Sequence, residues 1–170
     1  MWQTGSFTLS TAHFGGFDTD IYCSAWADID SDGDLDLFVG GKGPNFLWVN
    51  DGLGSFTAAT GGPVGGSSHT RTVAWADIDG DGDQDLFVGN HISVADCGAT
   101  ICGNELWLND GNGQFTLKND TWLWREPSQY HAGVFKTTSA AFGDVDGDGD
   151  LDLYIGVFGE ANELFLNDGT

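Results

Sequence analysis

The chain reads SAWADIDSDGDLDLFVG from residue 24 to 40, VAWADIDGDGDQDLFVG from 73 to 89 and AAFGDVDGDGDLDLYIG from 140 to 156. Every copy contains the pattern Asp-x-Asp-x-Asp-Gly-Asp-x-Asp, and a short apolar run with an aromatic residue follows it. Such a run, bounded by Gly and Asp, is typical of a β-strand. The sequence is therefore an internal repeat in which an acidic loop precedes a strand.

A second shared segment follows each acidic loop and ends in Asn-Asp-Gly. It reads NFLWVNDG from Asn45, NELWLNDG from Asn104 and NELFLNDG from Asn162. The first two copies continue into Gly-x-Phe-Thr, and the same pattern occurs at the other end of the chain, from Gly5 to Thr8. Each unit thus has four short predicted strands. The repeats span approximately residues 20–60, 69–120 and 135–170, with residues 1–10 completing the last one.

Four strands per unit, at a period near 50 residues, predict an all-β fold of β-propeller blades in a single domain of residues 1–170. Propellers close with about four to eight blades. Three blades therefore favour self-association, and a homodimer would form a six-bladed ring. In that ring the N-terminal strand of each chain would complete the third blade of the other chain.

The acidic composition restricts the classes of partner. The chain has 5 Lys and Arg residues against 26 Asp and Glu residues, which gives a formal net charge of −21. Such a charge repels phosphate backbones, so we expect no nucleic-acid binding. No stretch is apolar enough to cross a bilayer, and no signal peptide is visible at the N-terminus, so we expect no membrane insertion.

The acidic loops have the chemistry of a calcium site. Loop positions 1, 3 and 5 offer carboxylates, and position 6 is a Gly where the backbone must turn sharply. Position 7 is expected to offer its backbone carbonyl, and position 9 closes the cage from the next strand. The sequence thus predicts about three calcium ions per chain. The predicted ligand residues are Asp28, Asp30, Asp32, Asp34, Asp36, Asp77, Asp79, Asp81, Asp83, Asp85, Asp144, Asp146, Asp148, Asp150 and Asp152.

Other interpretations of the loops fit less well. An EF-hand needs a Glu at loop position 12 and flanking helices, but the residues at that position are Val39, Val88 and Ile155 in β-like runs. The number of carboxylates favours calcium over the smaller magnesium ion. Zinc is not expected, because the loops contain no His or Cys. Three loops that keep the Gly and all five Asp residues in register are also hard to explain as solvated turns.

The combination of D-x-D-x-D-G-x-x-D with N-x-L-x-x-N-D-G resembles the FG-GAP and VCBS repeat family, which includes the calcium-binding blades of integrin α-subunit propellers. The resemblance covers nearly the whole chain. It implies a propeller fold and assigns the calcium ligands to the Asp positions named above. The number of blades differs, because propellers of this family usually have about six or seven and the sequence given has three.

The resemblance and the loops together favour a non-catalytic scaffold, adhesion or protein-interaction module. Calcium sites of the extracellular type often bind at about 10⁻⁴ to 10⁻³ M, which places the module outside the cell or at its surface. No enzymatic activity is expected, because the four His residues lie in no zinc-protease or nucleophile motif.

A calcium-stabilised lectin with a glycan ligand is the alternative. Trp122, Trp124, Tyr130 and His131 lie in an insertion that does not repeat, and they are possible ligand-binding residues. The aromatic residues that do recur, such as Trp26 and Trp75, are expected between blades instead. A metal-dependent hydrolase is a distant alternative.

The three Cys residues are too few for a disulfide scaffold. Cys97 and Cys102 lie five residues apart in an insertion, and either a small disulfide loop or two free thiols fits this spacing. A disulfide would imply an oxidising compartment. Cys23 is expected to be a small buried residue of a strand.

Overall fold

A computed structural model describes residues 6–9, 14, 20–65, 69–91, 103–118 and 136–169. These residues form three antiparallel sheets and no helix, and therefore no helix long and apolar enough to cross a membrane. Sheet 1 contains β1 (Ile21–Ala27), β2 (Asp36–Gly41), β3 (Phe46–Asn50) and β4 (Phe56–Ala58). Sheet 2 contains β5 (Thr70–Ala76), β6 (Asp85–Asn90), β7 (Glu105–Asn109) and β8 (Phe115–Leu117). Sheet 3 contains β9 (Thr137–Gly143), β10 (Asp152–Val157) and β11 (Glu163–Phe165).

The same strand register recurs in all three sheets. Each acidic loop connects the first two strands of its sheet, so that Ala27 pairs with Asp36, Ala76 with Asp85 and Gly143 with Asp152. The third strand then pairs on the other side of the second strand. The prediction of an all-β repeat protein, one sheet per repeat, is therefore confirmed.

Sheets 1 and 2 each have the four predicted strands, and sheet 3 has three among the described residues. The fourth strand of the third repeat is the one predicted to come from residues 1–10. Residues 6–9, which were expected to form a strand, lie outside any strand, and Phe7 and Leu9 are fully exposed. Completion of this sheet by the N-terminus of another chain stays a prediction.

The hydrophobic core lies between the sheets. One buried cluster joins sheet 1 to sheet 2 and includes Phe38, Leu47 and Leu86. A second cluster joins sheet 2 to sheet 3 and includes Phe87 and Leu153. Because an isolated sheet leaves its apolar faces in water, these face-to-face contacts supply most of the apolar burial in the described chain.

The recurring aromatic positions that Trp26 and Trp48 hold in sheet 1 lie at sheet contacts in sheets 2 and 3, as predicted. Trp75 packs against the cluster between sheets 1 and 2, and Phe142 packs against the cluster between sheets 2 and 3. Trp26 holds the same position in sheet 1 but is 51% exposed, because no sheet of the described residues lies against that face. The expectation of a core position for Trp26 is therefore not met within one chain.

A chain of buried polar side chains joins the three sheets at the end opposite the acidic loops. The Thr70 hydroxyl lies 2.9 Å from the side-chain oxygens of both Asn45 and Asn90. Thr137 donates to Asn104 at 2.9 Å, and the same Asn104 oxygen accepts from the Asn90 backbone at 3.0 Å. Satisfied buried polar groups of this kind fix one relative position of the sheets, since a shifted sheet would leave them without partners.

Cys23 is partly buried in β1, in agreement with the expected structural role. Its Sγ lies 3.7 Å from the carbonyl oxygen of Gly40. Burial raises the pKa of Cys23 to about 11, so the thiol stays protonated and unreactive at neutral pH. Cys97 and Cys102 lie outside the described residues.

Replacing Phe87 with Ala is expected to lower the free energy of unfolding by about 3–5 kcal/mol, because Phe87 is fully buried between sheets 2 and 3. Urea unfolding followed by tryptophan fluorescence measures the change. The exposed Leu53 provides the control, since Leu53→Ala should change stability by about 0.5 kcal/mol or less. Equal effects of the two substitutions would contradict the assignment of the core.

Glu105 is a buried carboxyl group that is expected to make the free energy of unfolding depend on pH. The side chain is buried at the start of β7, where its Oε2 accepts from Trp107 Nε1 at 2.8 Å and its Oε1 lies 3.4 Å from Asn90 Nδ2. Burial raises the pKa of Glu105, and these two hydrogen bonds offset part of that effect. The folded protein therefore holds this proton more tightly than the unfolded chain does.

A carboxyl group with a raised pKa in the folded state destabilises the protein as pH rises through that pKa. With calcium saturating at every pH, the free energy of unfolding should fall between about pH 4.5 and the raised pKa of Glu105, by at most about 1.4 kcal/mol per pH unit. Glu105→Gln should reduce this slope in urea unfolding series, and the part that remains would come from other carboxyl groups such as Asp36 and Asp85, whose pKa burial also raises. An unchanged slope in the variant would assign the pH dependence to other groups.

Candidate metal centre

The three acidic loops share one backbone conformation. The Gly at loop position 6 has a positive φ in every loop, +92° at Gly33, +99° at Gly82 and +101° at Gly149, where a side chain would be strained. Position 4 also has a positive φ, 60° at Ser31, although Ser31 is not a Gly. The predicted sharp turn is therefore present in all three loops.

Each loop brings three carboxylates together. The oxygens of Asp28, Asp30 and Asp32 lie within 4.8 Å of one another in the first loop. The second and third loops group positions 1, 3 and 9 in the same way, with Asp77, Asp79 and Asp85 in one and Asp144, Asp146 and Asp152 in the other. Oxygens this close are within reach of one divalent ion, since calcium–oxygen distances are about 2.3–2.6 Å.

Several of these oxygens are buried without a hydrogen-bond partner. They are Oδ1 of Asp28, Oδ1 of Asp30 and Oδ1 of Asp77. A buried carboxylate oxygen without a donor costs free energy, because it has lost water and gained nothing in return. A cation bound among these atoms would supply the missing interaction, so the residues fit a hard metal ion.

The charges in the loops oppose one another when no cation is bound. Loss of water raises the pKa of Asp30, and the neighbouring carboxylates Asp32 and Asp36 raise it further. The pKa of Asp83 is raised in the same way, by loss of water and by the charges of Asp81 and Asp77. Each loop therefore attracts protons or metal ions, and the two compete for the same oxygens.

The Asp at loop position 9 has a structural role that the sequence did not reveal. The side chain of Asp36 is buried, with Oδ2 accepting from the Ile29 backbone at 3.0 Å and Oδ1 accepting from the Asn50 backbone at 2.8 Å. Asp85 and Asp152 make the same pair of bonds in sheets 2 and 3. Position 9 thus joins the acidic loop to the end of the third strand in every repeat.

Position 7 lies against the Asn-Asp-Gly turn. A Cβ on Gly52 would collide with the carboxylate of Asp34, and Gly111 has the same relation to Asp83. Gly169 and Asp150 repeat this contact in the third repeat. The positive φ therefore favours Gly at this position, and a side chain there would also require the position-7 carboxylate to move.

The Asn of Asn-Asp-Gly connects neighbouring sheets, and this role was missed at the sequence level. Asn109 Nδ2 donates to the Ile29 carbonyl of the first acidic loop at 2.8 Å. Asn167 Nδ2 donates to the Ile78 carbonyl of the second loop at 3.0 Å. The signal was the recurrence of Asn at one distance after each loop, but no local pattern shows that its partner lies in another repeat.

The other predicted ligand site cannot be placed. Trp122, Trp124, Tyr130 and His131 all lie outside the described residues. Among the Asp ligands, the structure groups positions 1 and 3 in every loop, adds position 5 in the first loop and position 9 in the other two. The backbone carbonyl expected from position 7 stays a prediction.

A family model described as FG-GAP-like repeat matches residues 28–88 and 92–155. The two matches together span well over half of the 170 residues, and each ends in a strand that follows an acidic loop. The chain belongs to the FG-GAP-like repeat family. The family match indicates a propeller-like protein-interaction module, and FG-GAP-like repeats occur in extracellular proteins and often bind calcium. A comparison with curated proteins found no match.

Gly52→Ala is expected to weaken the calcium-dependent part of the stability more than Gly54→Ala does. Both Gly residues have a positive φ, +68° and +89°, so each substitution should cost about 1–2 kcal/mol through backbone strain. Only Gly52 faces the carboxylate of Asp34, whereas a Cβ on Gly54 meets nothing within 4 Å. Urea unfolding in calcium and in chelator separates the two contributions. The difference between the free energies of unfolding in calcium and in chelator should be smaller for Gly52→Ala than for Gly54→Ala. Equal differences in the two variants would be evidence against a link between this contact and the metal site.

Proposed function

We propose that this FG-GAP-like chain is a calcium-stabilised, non-catalytic module that presents a protein-binding surface outside the cell. The observation that supports it most directly is the set of buried carboxylate oxygens without hydrogen-bond partners in the acidic loops. These oxygens lie in the first two loops, and carboxylates are grouped at equivalent places in all three loops, so we propose about one calcium ion in each.

The donor set favours calcium over other metal ions. The grouped atoms are carboxylate oxygens, which suit hard cations, and the grouped residues include no His or Cys. Magnesium prefers to keep several of its water ligands and an octahedral geometry, and therefore seldom occupies a cage rich in protein carboxylates. Calcium accepts a larger and less regular set of oxygens.

The bound ion would stabilise the contact between sheets as well as the loop itself. Ile29 lies between the metal ligands Asp28 and Asp30, and its carbonyl accepts hydrogen bonds from Asn109 and Gly113 of sheet 2. An ion that fixes the loop therefore also fixes the acceptor for the next sheet. Since the ion binds the folded state, it adds stability by mass action.

The expected affinity supports an extracellular location. Sites of this type often have dissociation constants of about 10⁻⁴ to 10⁻³ M, so they fill at extracellular calcium levels and empty in cytosol. The proposal assigns no catalytic step, because the loop carboxylates serve as metal ligands and as acceptors for backbone N–H groups. A protein ligand is proposed as the partner, in keeping with the family.

Calcium titration by calorimetry should give about three sites per chain, and Asp30→Asn should remove one of them. Asp20→Asn makes the same change in charge on an exposed residue outside the loops and should leave the number of sites unchanged. Calcium at about 100 times the dissociation constant should add about 2.7 kcal/mol per site to the free energy of unfolding. A chelator should therefore lower the melting temperature. Equal melting temperatures in calcium and in chelator would refute the proposal.

A further inference from the structure

The two contacts between sheets within the chain are built from equivalent residues. We call the face of a sheet that contacts the next sheet along the chain its trailing face, and the opposite face its leading face. Phe38 on the trailing face of sheet 1 meets Trp75 on the leading face of sheet 2, with ring centroids 6.5 Å apart and planes at 85°. Phe87 meets Phe142 in the same way, at 6.4 Å and 85°. The repeat thus has one contact geometry, used twice.

The trailing face of sheet 3 presents the same residue types to solvent. Tyr154 is equivalent to Phe38 and Phe87, which are fully buried, but it is 43% exposed. Leu164, equivalent to the buried Leu47 and Leu106, is 52% exposed. Val145, equivalent to the buried Ile29, is 59% exposed. Side chains that form the core at the two inner contacts therefore make a continuous apolar surface here.

The leading face of sheet 1 carries Trp26, the residue type that packs against the trailing face of a preceding sheet. Trp26 is equivalent to Trp75 and Phe142, which contact Phe38 and Phe87 of the preceding sheet, and Trp26 itself is 51% exposed. Phe14, which precedes β1, lies 5.9 Å from the ring of Trp48 and 4.7 Å from that of Phe56.

Phe14 does not cover the part of the leading face, around Trp26, that a neighbouring sheet would contact. Before β5, Ala59 and Val64 pack against the cluster between sheets 1 and 2, and a Cβ on Gly62 would lie 3.2 Å from Phe115, the equivalent of Phe56. Phe14 before β1 and Gly62 before β5 thus lie at similar places, each against the Phe of the fourth strand of the sheet that follows. Trp26 on the same face remains about half exposed.

The donor and the acceptor of the hydrogen bond between repeats also have equivalents on the leading face of sheet 1 and the trailing face of sheet 3. Asn109 and Asn167 each donate to the carbonyl of loop position 2 in the preceding sheet. Asn50 is the equivalent donor on sheet 1, and its Nδ2 donates to the Leu35 carbonyl of its own loop at 3.2 Å. The equivalent carbonyl on sheet 3 belongs to the exposed Val145.

We propose that the trailing face of sheet 3 binds the leading face of sheet 1 in a second copy of this chain. Tyr154 of one copy packs edge-on against Trp26 of the other, and Asn50 Nδ2 donates to the Val145 carbonyl. The contact is heterologous, and two such contacts close a ring of two chains with six sheets, within the usual range for propellers. A second copy is chosen as the occupant because the two surfaces repeat, residue for residue, the interface already present twice in the chain.

One feature of the inner contacts is missing at the contact between copies. Thr70 and Thr137 bond to Asn45 and Asn104 of the preceding sheet, but the equivalent residue of sheet 1 is Ile21, which has no hydroxyl. The contact between copies therefore has fewer hydrogen bonds than the inner ones. The dimer should accordingly dissociate on dilution, before the chain unfolds.

Sedimentation velocity of the wild-type chain in calcium tests the proposal over a range of concentrations. The expected result is a species of about twice the 18.0 kDa chain mass that shifts to a single chain on dilution. Trp26→Asp and Tyr154→Asp should each give a single chain at all concentrations. Leu53→Asp is the matched control and should stay dimeric, since Leu53 is exposed and its equivalent Asn112 is exposed even in sheet 2, which is covered on both faces.

Mixing the two variants distinguishes loss of the contact from loss of the fold. An equimolar mixture of Trp26→Asp and Tyr154→Asp retains one native pair, Tyr154 of the first variant against Trp26 of the second, so a two-chain species should reappear. A wild-type chain that stays single, a dimer in either variant alone, or no dimer in the mixture of variants that still melt cooperatively would overturn the proposal. Calcium titration of the same variants should still give about three sites, so failure here is separable from failure of the metal proposal.

Discussion

The structure depends on a buried carboxylate that accepts two backbone hydrogen bonds. In each sheet the Asp that begins the second strand accepts from the backbone of loop position 2 and from the Asn of the Asn-Asp-Gly turn, as Asp85 does from Ile78 and Asn109 at 2.8 Å each. Hydrogen bonds to a charged acceptor are worth more than neutral ones, about 1.5–3 kcal/mol each. Because the carboxylate is also buried, removing either donor would leave part of its charge without compensation.

This carboxylate couples three parts of the fold that are distant in the sequence. It fixes the acidic loop, which positions the metal ligands on either side of loop position 2. It fixes the third strand, whose terminal Asn then reaches the loop of the preceding sheet. The acidic loop, a hairpin and a contact between sheets therefore depend on one arrangement. A cation bound in the loop, as we propose, would stabilise all of them together, and its loss would weaken more than a single loop.

The sequence predicts those features that depend on residues close together within one repeat. Alternation of apolar residues, the Gly at loop position 6 and the grouped Asp residues gave the strands, the turns and the grouped carboxylates. It did not reveal that Asp36 accepts two backbone hydrogen bonds, because a candidate metal ligand and a backbone acceptor are the same residue type in the same pattern. Nor did it reveal the role of Asn109, whose partner Ile29 lies 80 residues away. The exposure of Trp26 was missed because an equivalent position implies an equivalent environment only where a neighbouring sheet exists.

The exposure of Trp26 reflects how stability is distributed in an array of repeated sheets. In a linear array of sheets, stability is approximately a sum of terms for each sheet and for each contact between neighbours, so the two outer faces gain none of the contact term. Here the outer faces keep Trp26 and Tyr154, the residue types of an inner contact. A face with the chemistry of a core is stabilised by covering it, and the surface that matches Tyr154 best is the one that carries Trp26.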